Sequence, residues 1–311
     1  MLPAAWDGRL RLPVIAAPMT AVSGPDLVIA ACASGVIGSF PTHNAPSVEV
    51  LEQWLGRIRT ELGSADLDRV PAPVAANLIV HRSNARRDAD LEACVRGGVE
   101  LVIASVGSPK DVVAPLHDAG VLVYADVASL RHVDLASAAG VDGLVLLTAG
   151  AGGQTGWANP FAFVRAVRER YDGTIVLAGG ISDGAGIAAT EVLGADLAYL
   201  GTRFIATQES LASPEYRAAV VAATLDDITT SRQVSGLEAN VLTSWLQSRE
   251  AASDGAFAQD RLLAARDVWA AGHSVSGTDD VPAVADLVDR LEKDYQSARH
   301  PLGDVTASER Y

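Results

Sequence analysis

The sequence predicts an α/β protein in which eight parallel strands, each followed by a helix, close into a (β/α)8 barrel. Apolar runs of strand length recur at spacings of about 20 to 40 residues, and amphipathic segments separate them. The runs are nearly continuous in apolar character, which is typical of parallel strands covered by helices on both faces. Eight such strands favour a closed TIM barrel over a doubly wound sheet, which is the second choice.

The strand candidates follow one another along the first two thirds of the chain. In order, they are residues 12–18, 35–40, 74–80, 101–107, 121–127, 143–150, 174–181 and 197–205. Helical periodicity fills the intervals, and the clearest case is residues 51–62, where Leu51, Leu55 and Ile58 fall on one stripe. Further helices are expected at 161–167 and 187–193.

The chain divides into three expected regions. Residues 1–208 form the barrel that would bind a cofactor, and residues 209–276 form a helical insertion after the last strand. Residues 277–311 hold the final barrel helix, read from the amphipathic segment 280–295, and a C-terminal tail. An insertion after the last strand lies beside the barrel mouth, so we expect it to act as a lid.

Composition and charge exclude several classes of protein. Of 311 residues, 49 % are hydrophobic, which excludes a disordered chain, and the net charge of -14 disfavours nucleic acid as a partner. No apolar run is long enough to cross a membrane, and no signal peptide is recognisable, so a cytoplasmic protein is expected. Cys32 and Cys94 make neither a disulfide framework nor a metal motif, so no metal is expected. A homodimer is compatible with this chain.

Active sites of such barrels lie at the carboxyl ends of the strands. Glycines cluster there at the ends of the predicted seventh and eighth strands, at Gly179, Gly180 and Gly201, followed by Thr202. Glycine lets backbone N–H groups approach an anion closely, and a following helix adds its N-terminal dipole. These loops therefore predict a phosphate site, and the alternative is that the glycines only make tight turns.

Other strand ends carry polar side chains. Asn77, Ser105 and Asp126 close three consecutive strands, although Asp126 could instead cap the next helix. Residues 148–156 (TAGAGGQTG) form the least ordinary segment, because so many glycines cost conformational entropy on ordering. Gln154 is the long polar side chain in that loop, so we expect it to meet a ligand. Trp157 either covers the pocket or packs under the loop.

Several of these segments together resemble the nitronate monooxygenase family, formerly called 2-nitropropane dioxygenases. The matching segments are 13–19 (PVIAAPM), 76–80 (ANLIV), 143–156, 177–181 (LAGGI), 193–210 and 270–277 (AAGHSVSG). The resemblance implies an FMN-dependent (β/α)8 barrel that oxidises alkyl nitronates with O2. It also implies the cofactor contacts: the phosphate on Gly179, Gly180, Gly201 and Thr202, and the ring system against Ala17, Pro18, Met19, Asn77, Gly150, Gly152 and Gly153. Ser105 and Asp126 join this cofactor set by their strand-end positions.

One residue departs from the family pattern. The family's loop usually reads G-G-H-x-G with a catalytic histidine, and the corresponding residue here is Gln154. Glutamine donates a hydrogen bond but cannot take a proton near neutral pH, so it cannot deprotonate a neutral nitroalkane. Of the histidines near the mouth (His43, His81 and His273), His273 in the segment 270–277 is the preferred replacement for this acid/base role.

The substitution keeps other functions open. Related FMN barrels include enoyl-thioester reductases that use NAD(P)H, and Gln154 fits a substrate carbonyl as well as a nitronate. A flavin-binding protein without monooxygenase activity is a third reading. A phosphosugar-binding barrel without flavin ranks last, because it leaves the glycine-rich loop at 150–153 without a purpose.

Overall fold

Eight parallel strands close into a barrel, as the sequence predicts. The structure is a computed structural model, and it describes residues 2–64, 69–248 and 267–299. The barrel order is β1-β2-β3-β4-β5-β6-β8-β9, and β1 pairs with β9 to close the ring. The barrel strands are β1 (Val14–Ala16), β2 (Ile37–Pro41), β3 (Val74–Ile79), β4 (Leu101–Ser105), β5 (Leu122–Val127), β6 (Gly143–Leu147), β8 (Thr174–Ala178) and β9 (Leu197–Leu200).

Helices follow the strands and cover the outside of the barrel. They are α1 (Pro25–Ala33), α2 (Val48–Ser64), α3 (Arg87–Gly97), α4 (Lys110–Asp118), α5 (Leu130–Ala138), α6 (Pro160–Arg168), α7 (Gly184–Leu193), α8 (Thr202–Ile205), α9 (Pro214–Ala222), α10 (Thr243–Gln247) and α11 (Val284–Arg299). Short 3-10 turns occur at Ala4–Trp6, Thr42–Asn44, Leu225–Asp227 and His273–Gly277. The expected helices at 51–62, 161–167 and 187–193 are confirmed within α2, α6 and α7.

The last predicted strand is too long. The apolar run 197–205 suggested one strand, but β9 ends at Leu200, and α8 begins at Thr202 after Gly201. All of α8 is buried, so its apolar residues serve packing and not sheet pairing. Composition alone does not separate a short buried helix from a buried strand.

The barrel is filled by apolar side chains from its strands. Ile15, Ile37, Ile103, Val145 and Val176 are completely buried and form one cluster inside it. A second and larger cluster joins the outer faces of the strands to the helices. This packing fixes the strand ends in space, and it is these ends that carry the polar residues of the site.

The insertion after β9 is only partly helical, which corrects the expectation for residues 209–276. Its described part holds α9 and α10, but it also holds the strands β10 (Ile228–Ser231) and β11 (Ala239–Leu242). These two strands and β7 (Gly153–Gln154) form an antiparallel sheet in the order β10-β11-β7. Residues 249–266 of the insertion and 300–311 of the expected tail lie outside the described residues.

Helix α11 completes the helical shell, as expected for the last barrel helix. It packs mainly on α7 and also contacts α1. Gly184 at the start of α7 permits the close approach, because a Cβ there would lie 1.9 Å from the backbone nitrogen of Tyr295. The helix begins at Val284, after Pro282, and not at residue 280.

We expect Gly184→Ala to destabilise the fold, because the added methyl group meets the backbone of α11 and not a movable side chain. The loss in the free energy of unfolding should be roughly 2–3 kcal/mol. Gly56→Ala is the matched control, since nothing lies within 4 Å of its added Cβ on α2 and alanine favours helix. In urea unfolding, the midpoint concentration should be lower for Gly184→Ala than for the wild type. For Gly56→Ala it should be equal to the wild-type value or higher. Equal midpoints would contradict the packing described.

Candidate active site

A single cavity gathers nearly all the residues that the sequence singled out. It lies at the carboxyl ends of the barrel strands, and the insertion adds Tyr216, Ser235 and Ala239 to its wall. The predicted residues on its lining are Ala17, Pro18, Met19, Asn77, Ser105, Asp126, Gly150, Gly152, Gly153, Gln154, Gly179, Gly180, Gly201 and Thr202. Of the fifteen predicted site residues, His273 is the one that does not line this cavity.

Asn77 and Ser105 form a fixed polar pair on neighbouring strands. The Asn77 side-chain amide donates to the carbonyl of Ile103 at 3.0 Å, and the Ser105 hydroxyl donates to Asn77 Oδ1 at 3.3 Å. Both side chains are buried. The next residue, Val106, has a φ of 51°, an unusual value for a β-branched residue. Such strain is common where a backbone is held for binding.

Asp126 is a carboxyl group without a protein partner at one oxygen. Its Oδ1 is buried and makes no hydrogen bond to any residue that the structure describes. Burial raises the pKa of Asp126 to about 7. The alternative role as a helix cap is wrong, because the Ser129 side chain accepts the bond from the His132 backbone N–H at the start of α5. Asp126 is therefore available to a ligand in the cavity, and it is largely neutral below pH 7.

Glycine is required at Gly179 for steric reasons. Its φ is +128°, and a Cβ there would lie 2.4 Å from Thr148 Oγ1. The Thr148 hydroxyl is itself held by donating to the carbonyl of Ala178 at 2.6 Å. The end of β8 and the glycine-rich loop therefore pack directly on each other, and no side chain stands between this backbone and the cavity.

The glycine-rich loop also packs against the segment 270–277. A Cβ on Gly152 would lie 2.7 Å from the backbone nitrogen of Gly272, so the two chains meet backbone to backbone. The Gly272 N–H in turn donates to Thr202 Oγ1 at 3.0 Å. The glycine-rich loop, the segment 270–277 and the start of α8 are thus joined at one point beside the expected phosphate site.

Asn240 supports the glycine-rich loop from outside the cavity lining, a role that the sequence did not predict. From β11, its side-chain amide donates to the carbonyl of Ala151 at 2.7 Å, and its Oδ1 accepts from the Thr230 hydroxyl. Asn240 is buried and ties the insertion to the glycine-rich loop. Nothing in the segment ANVL signals this role, because the bond spans 89 residues.

Gln154 lies on the short strand β7 and pairs with Ala239 of β11. It is half-buried and lines the cavity, where its amide can donate to a ligand. The insertion therefore fixes the backbone at Gln154.

Neither His273 nor Trp157 is among the residues that line the cavity. The His273 backbone N–H donates to the carbonyl of Gly150 at 2.9 Å, but its side chain is exposed. The ring lies beside Gly150, because a Cβ on that glycine would be 2.8 Å from His273 Nδ1. Trp157 is 80 % exposed, so it neither covers the pocket nor packs under the loop.

The cavity has little formal charge. Among the residues that line it in the described ranges, there is no lysine or arginine, and Asp126 is the one carboxyl group. Within 2–64, 69–248 and 267–299, no three metal-binding side chains cluster. None of the helices described is long and apolar enough to cross a bilayer.

Comparisons with known proteins agree with this arrangement. The family model described as nitronate monooxygenase matches residues 64–292. A nitronate monooxygenase of Paraburkholderia phytofirmans is 29 % identical over 268 residues, covering 72 % of this chain and 71 % of the relative. The (3aS,4S,5R,7aS)-5-hydroxy-7a-methyl-1-oxo-octahydro-1H-indene-4-carboxyl-CoA dehydrogenase of Rhodococcus jostii is 28 % identical over 232 residues, which is 75 % of this chain. The match spans only 63 % of that relative's length.

The fold has a close counterpart among solved structures. The nitroalkane oxidase of Streptomyces ansochromogenes superposes with a TM-score of 0.83, covering 96 % of this chain and 100 % of the other. Sequence identity is 24 %, so this likeness speaks for the fold alone.

We expect Asp126→Asn to change how stability depends on pH in the flavin-free protein. Because the folded-state pKa is raised above the unfolded value of about 3.9, ionisation is disfavoured in the folded state. This group's contribution to stability is complete below pH 4 and is lost as pH rises through about 7. As pH rises from 4 to 8, the free energy of unfolding of Asp126→Asn should therefore increase relative to that of the wild type by roughly 2–4 kcal/mol, measured by urea unfolding. A difference independent of pH would contradict the burial argument.

Proposed function

The chain belongs to the nitronate monooxygenase family, and on that premise we propose that it is a cytoplasmic, FMN-dependent oxidoreductase that oxidises alkyl nitronates with O2. One observation carries the proposal: a single cavity at the barrel mouth gathers the strand-end glycines and the polar residues Asn77, Ser105 and Asp126. A glycine-walled, nearly uncharged cavity suits a flat cofactor that carries one phosphate.

The residues present fit FMN. The phosphate would be held by backbone N–H groups at Gly179–Gly180 and Gly201–Thr202, since the described part of the lining offers it no lysine or arginine. The unpartnered Asp126 Oδ1 suits the polar edge of the ring system, which carries both carbonyl and N–H groups. Asn77, held by its bond to Ile103, adds a second fixed polar group.

When bound, FMN supplies the electron acceptor for the substrate and the centre that reacts with O2. The protein's own residues bind and orient the substrate. The Gln154 amide N–H groups donate to the nitronate oxygens and fix their direction. A preformed nitronate is already deprotonated, so its oxidation needs no base at position 154.

A second candidate is the oxidation or reduction of a compound that is carried as a CoA thioester, because the Rhodococcus jostii relative is named for a carboxyl-CoA substrate. The Gln154 amide fits a carbonyl as well as a nitronate. Coenzyme A carries several phosphates, however, and the described cavity lining holds no lysine or arginine. The nearby Arg86 and Arg87 are paired with Asp90 and Asp88. The nitronate is therefore the better fit.

The visible spectrum of the purified, FMN-loaded protein tests this function directly. We expect anaerobic addition of propane-2-nitronate to bleach the flavin, and air to restore the spectrum. NADPH and NADH should bleach it far more slowly. Fast bleaching by a nicotinamide and none by the nitronate would replace the proposal by the reductase function. No response to any donor would leave a flavin-binding protein without this activity.

Substitution at Gln154 tests its role in orienting the substrate. Gln154→Ala removes the donor, so we expect KM for the nitronate to rise about tenfold, which is the cost of one hydrogen bond to a charged group. Gln154→His retains a donor and should raise KM less. The comparison is made by steady-state oxygen consumption, and an unchanged KM in Gln154→Ala would show that the amide does not contact the substrate.

A further inference from the structure

We propose that the His43 imidazole, in its protonated form, is the cationic partner of the anionic substrate in this cavity. This inference rests on the proposed function, because it takes a nitronate or a similar delocalised anion as the substrate. It concerns a residue on the second strand's loop, far in sequence from Gln154 and from His273.

The described cavity lining offers an anionic substrate no permanent cation. The whole chain carries a formal net charge of -14, which repels an anion, and the cavity lining has Asp126 as a further acidic group. No lysine or arginine lines the cavity in the described ranges. Gln154 is neutral at all working pH values. A formal positive charge on the described lining can therefore come from a histidine that gains a proton.

His43 is placed to provide it. Of the histidines that the structure describes, it is the one on the cavity lining. His117 is bound to Asp142 on the outer surface, and His132 is exposed at the start of α5. His81 contacts Ser83 in the loop after β3, and His273 is exposed and does not line the cavity. His300 lies outside the described residues.

The ring is held in place by Thr20. Thr20 Oγ1 and His43 Nε2 lie 3.1 Å apart, and Thr20 is itself on the cavity lining. A hydroxyl can donate to a neutral ring nitrogen and accept from a protonated one, so this partner suits both charge states. The imidazole can therefore gain or lose its proton without leaving its position.

The backbone around both residues is also fixed. The Asn44 side-chain amide donates to the carbonyls of Met19 and Ser23, at 2.9 and 2.8 Å, and its Oδ1 accepts from the Ala21 N–H at 3.0 Å. Ala21 has a φ of 58°, a left-handed value that these bonds hold in place. The turn that carries Thr20 and the turn that carries His43 thus form one unit.

Among the described residues, charged and titratable groups lie on two sides of this unit. On the helix side, Arg86 donates to the carbonyl of Ala45 at 2.8 Å and pairs with Asp90 at 2.9 Å, while Glu49 lies on α2. On the cavity side, the titratable groups are Asp126, Tyr199 and Tyr216. Burial raises the pKa of both tyrosines, so neither gains charge in this range, and Asp90 is held in its ion pair with Arg86. The pH response between 5 and 9 should therefore come from His43 and Asp126.

Anion binding to the FMN-loaded protein separates the two groups without any turnover. The probe is isobutyrate, an inert carboxylate similar in shape to propane-2-nitronate, and its dissociation constant is read from the change in the flavin spectrum between pH 5 and 9. We expect the wild-type affinity to fall about tenfold or more as the imidazole loses its proton. His43→Gln should bind isobutyrate weakly at every pH. Asp126→Asn should still lose affinity for isobutyrate as the His43 imidazole loses its proton.

His81→Gln is the matched control, because His81 is near the mouth but not on the cavity lining. The pH dependence of isobutyrate binding to His81→Gln should match that of the wild type. A wild-type profile that is flat, or one that persists unchanged in His43→Gln, would overturn the proposal. Since isobutyrate binding needs no oxidation, these results are independent of whether propane-2-nitronate bleaches the flavin. Failure of the proposed function and failure of this inference are thus seen in different measurements.

Thr20 offers a second variant that does not remove the ring. Thr20→Val lacks the hydroxyl partner of Nε2, so we expect the midpoint of the isobutyrate profile to shift. Thr20→Ser keeps the hydroxyl and should restore the wild-type midpoint. Identical midpoints for all three proteins would show that Thr20 does not position the imidazole.

Discussion

The site depends on one close contact, where the glycine-rich loop meets the segment 270–277 backbone to backbone. Gly152 and Gly272 leave no room for a side chain between them, and Gly272 also binds the Thr202 hydroxyl. The contact joins the end of β6, the end of β9 and the C-terminal part of the insertion. A loop this rich in glycine costs conformational entropy to order, and these neighbours provide the compensating interactions.

The described part of the insertion forms part of the cavity wall. Through Asn240 and the pairing of β11 with β7, it fixes the loop that carries Gln154. Gln154, which we propose contacts the substrate, therefore stands on a strand whose partner residue Ala239 lies 85 residues further along the chain. A variant that weakens this sheet should act on substrate binding through the position of Gln154, even though it touches no ligand.

Much of the fold was predictable, because apolar runs and amphipathic helices follow local periodicity. The strand ends were predictable as site residues for the same reason, and fourteen of the fifteen predicted positions line one cavity. What could not be predicted depends on distant contacts. The strands β10 and β11 are short and half polar, and Asn240 acts across 89 residues. Nothing in the local sequence distinguishes His43, which lines the cavity, from His273, which does not.

FMN binding to the flavin-free protein tests the central claim, that the backbone-to-backbone contact builds the cofactor site. Flavin fluorescence should be quenched by one equivalent of protein, and Gly152→Ala should weaken binding at least tenfold, because its Cβ would meet the Gly272 backbone. Gly56→Ala, far from the site on α2, should bind like the wild type. Wild-type affinity in Gly152→Ala, or no quenching by the wild type, would contradict the account.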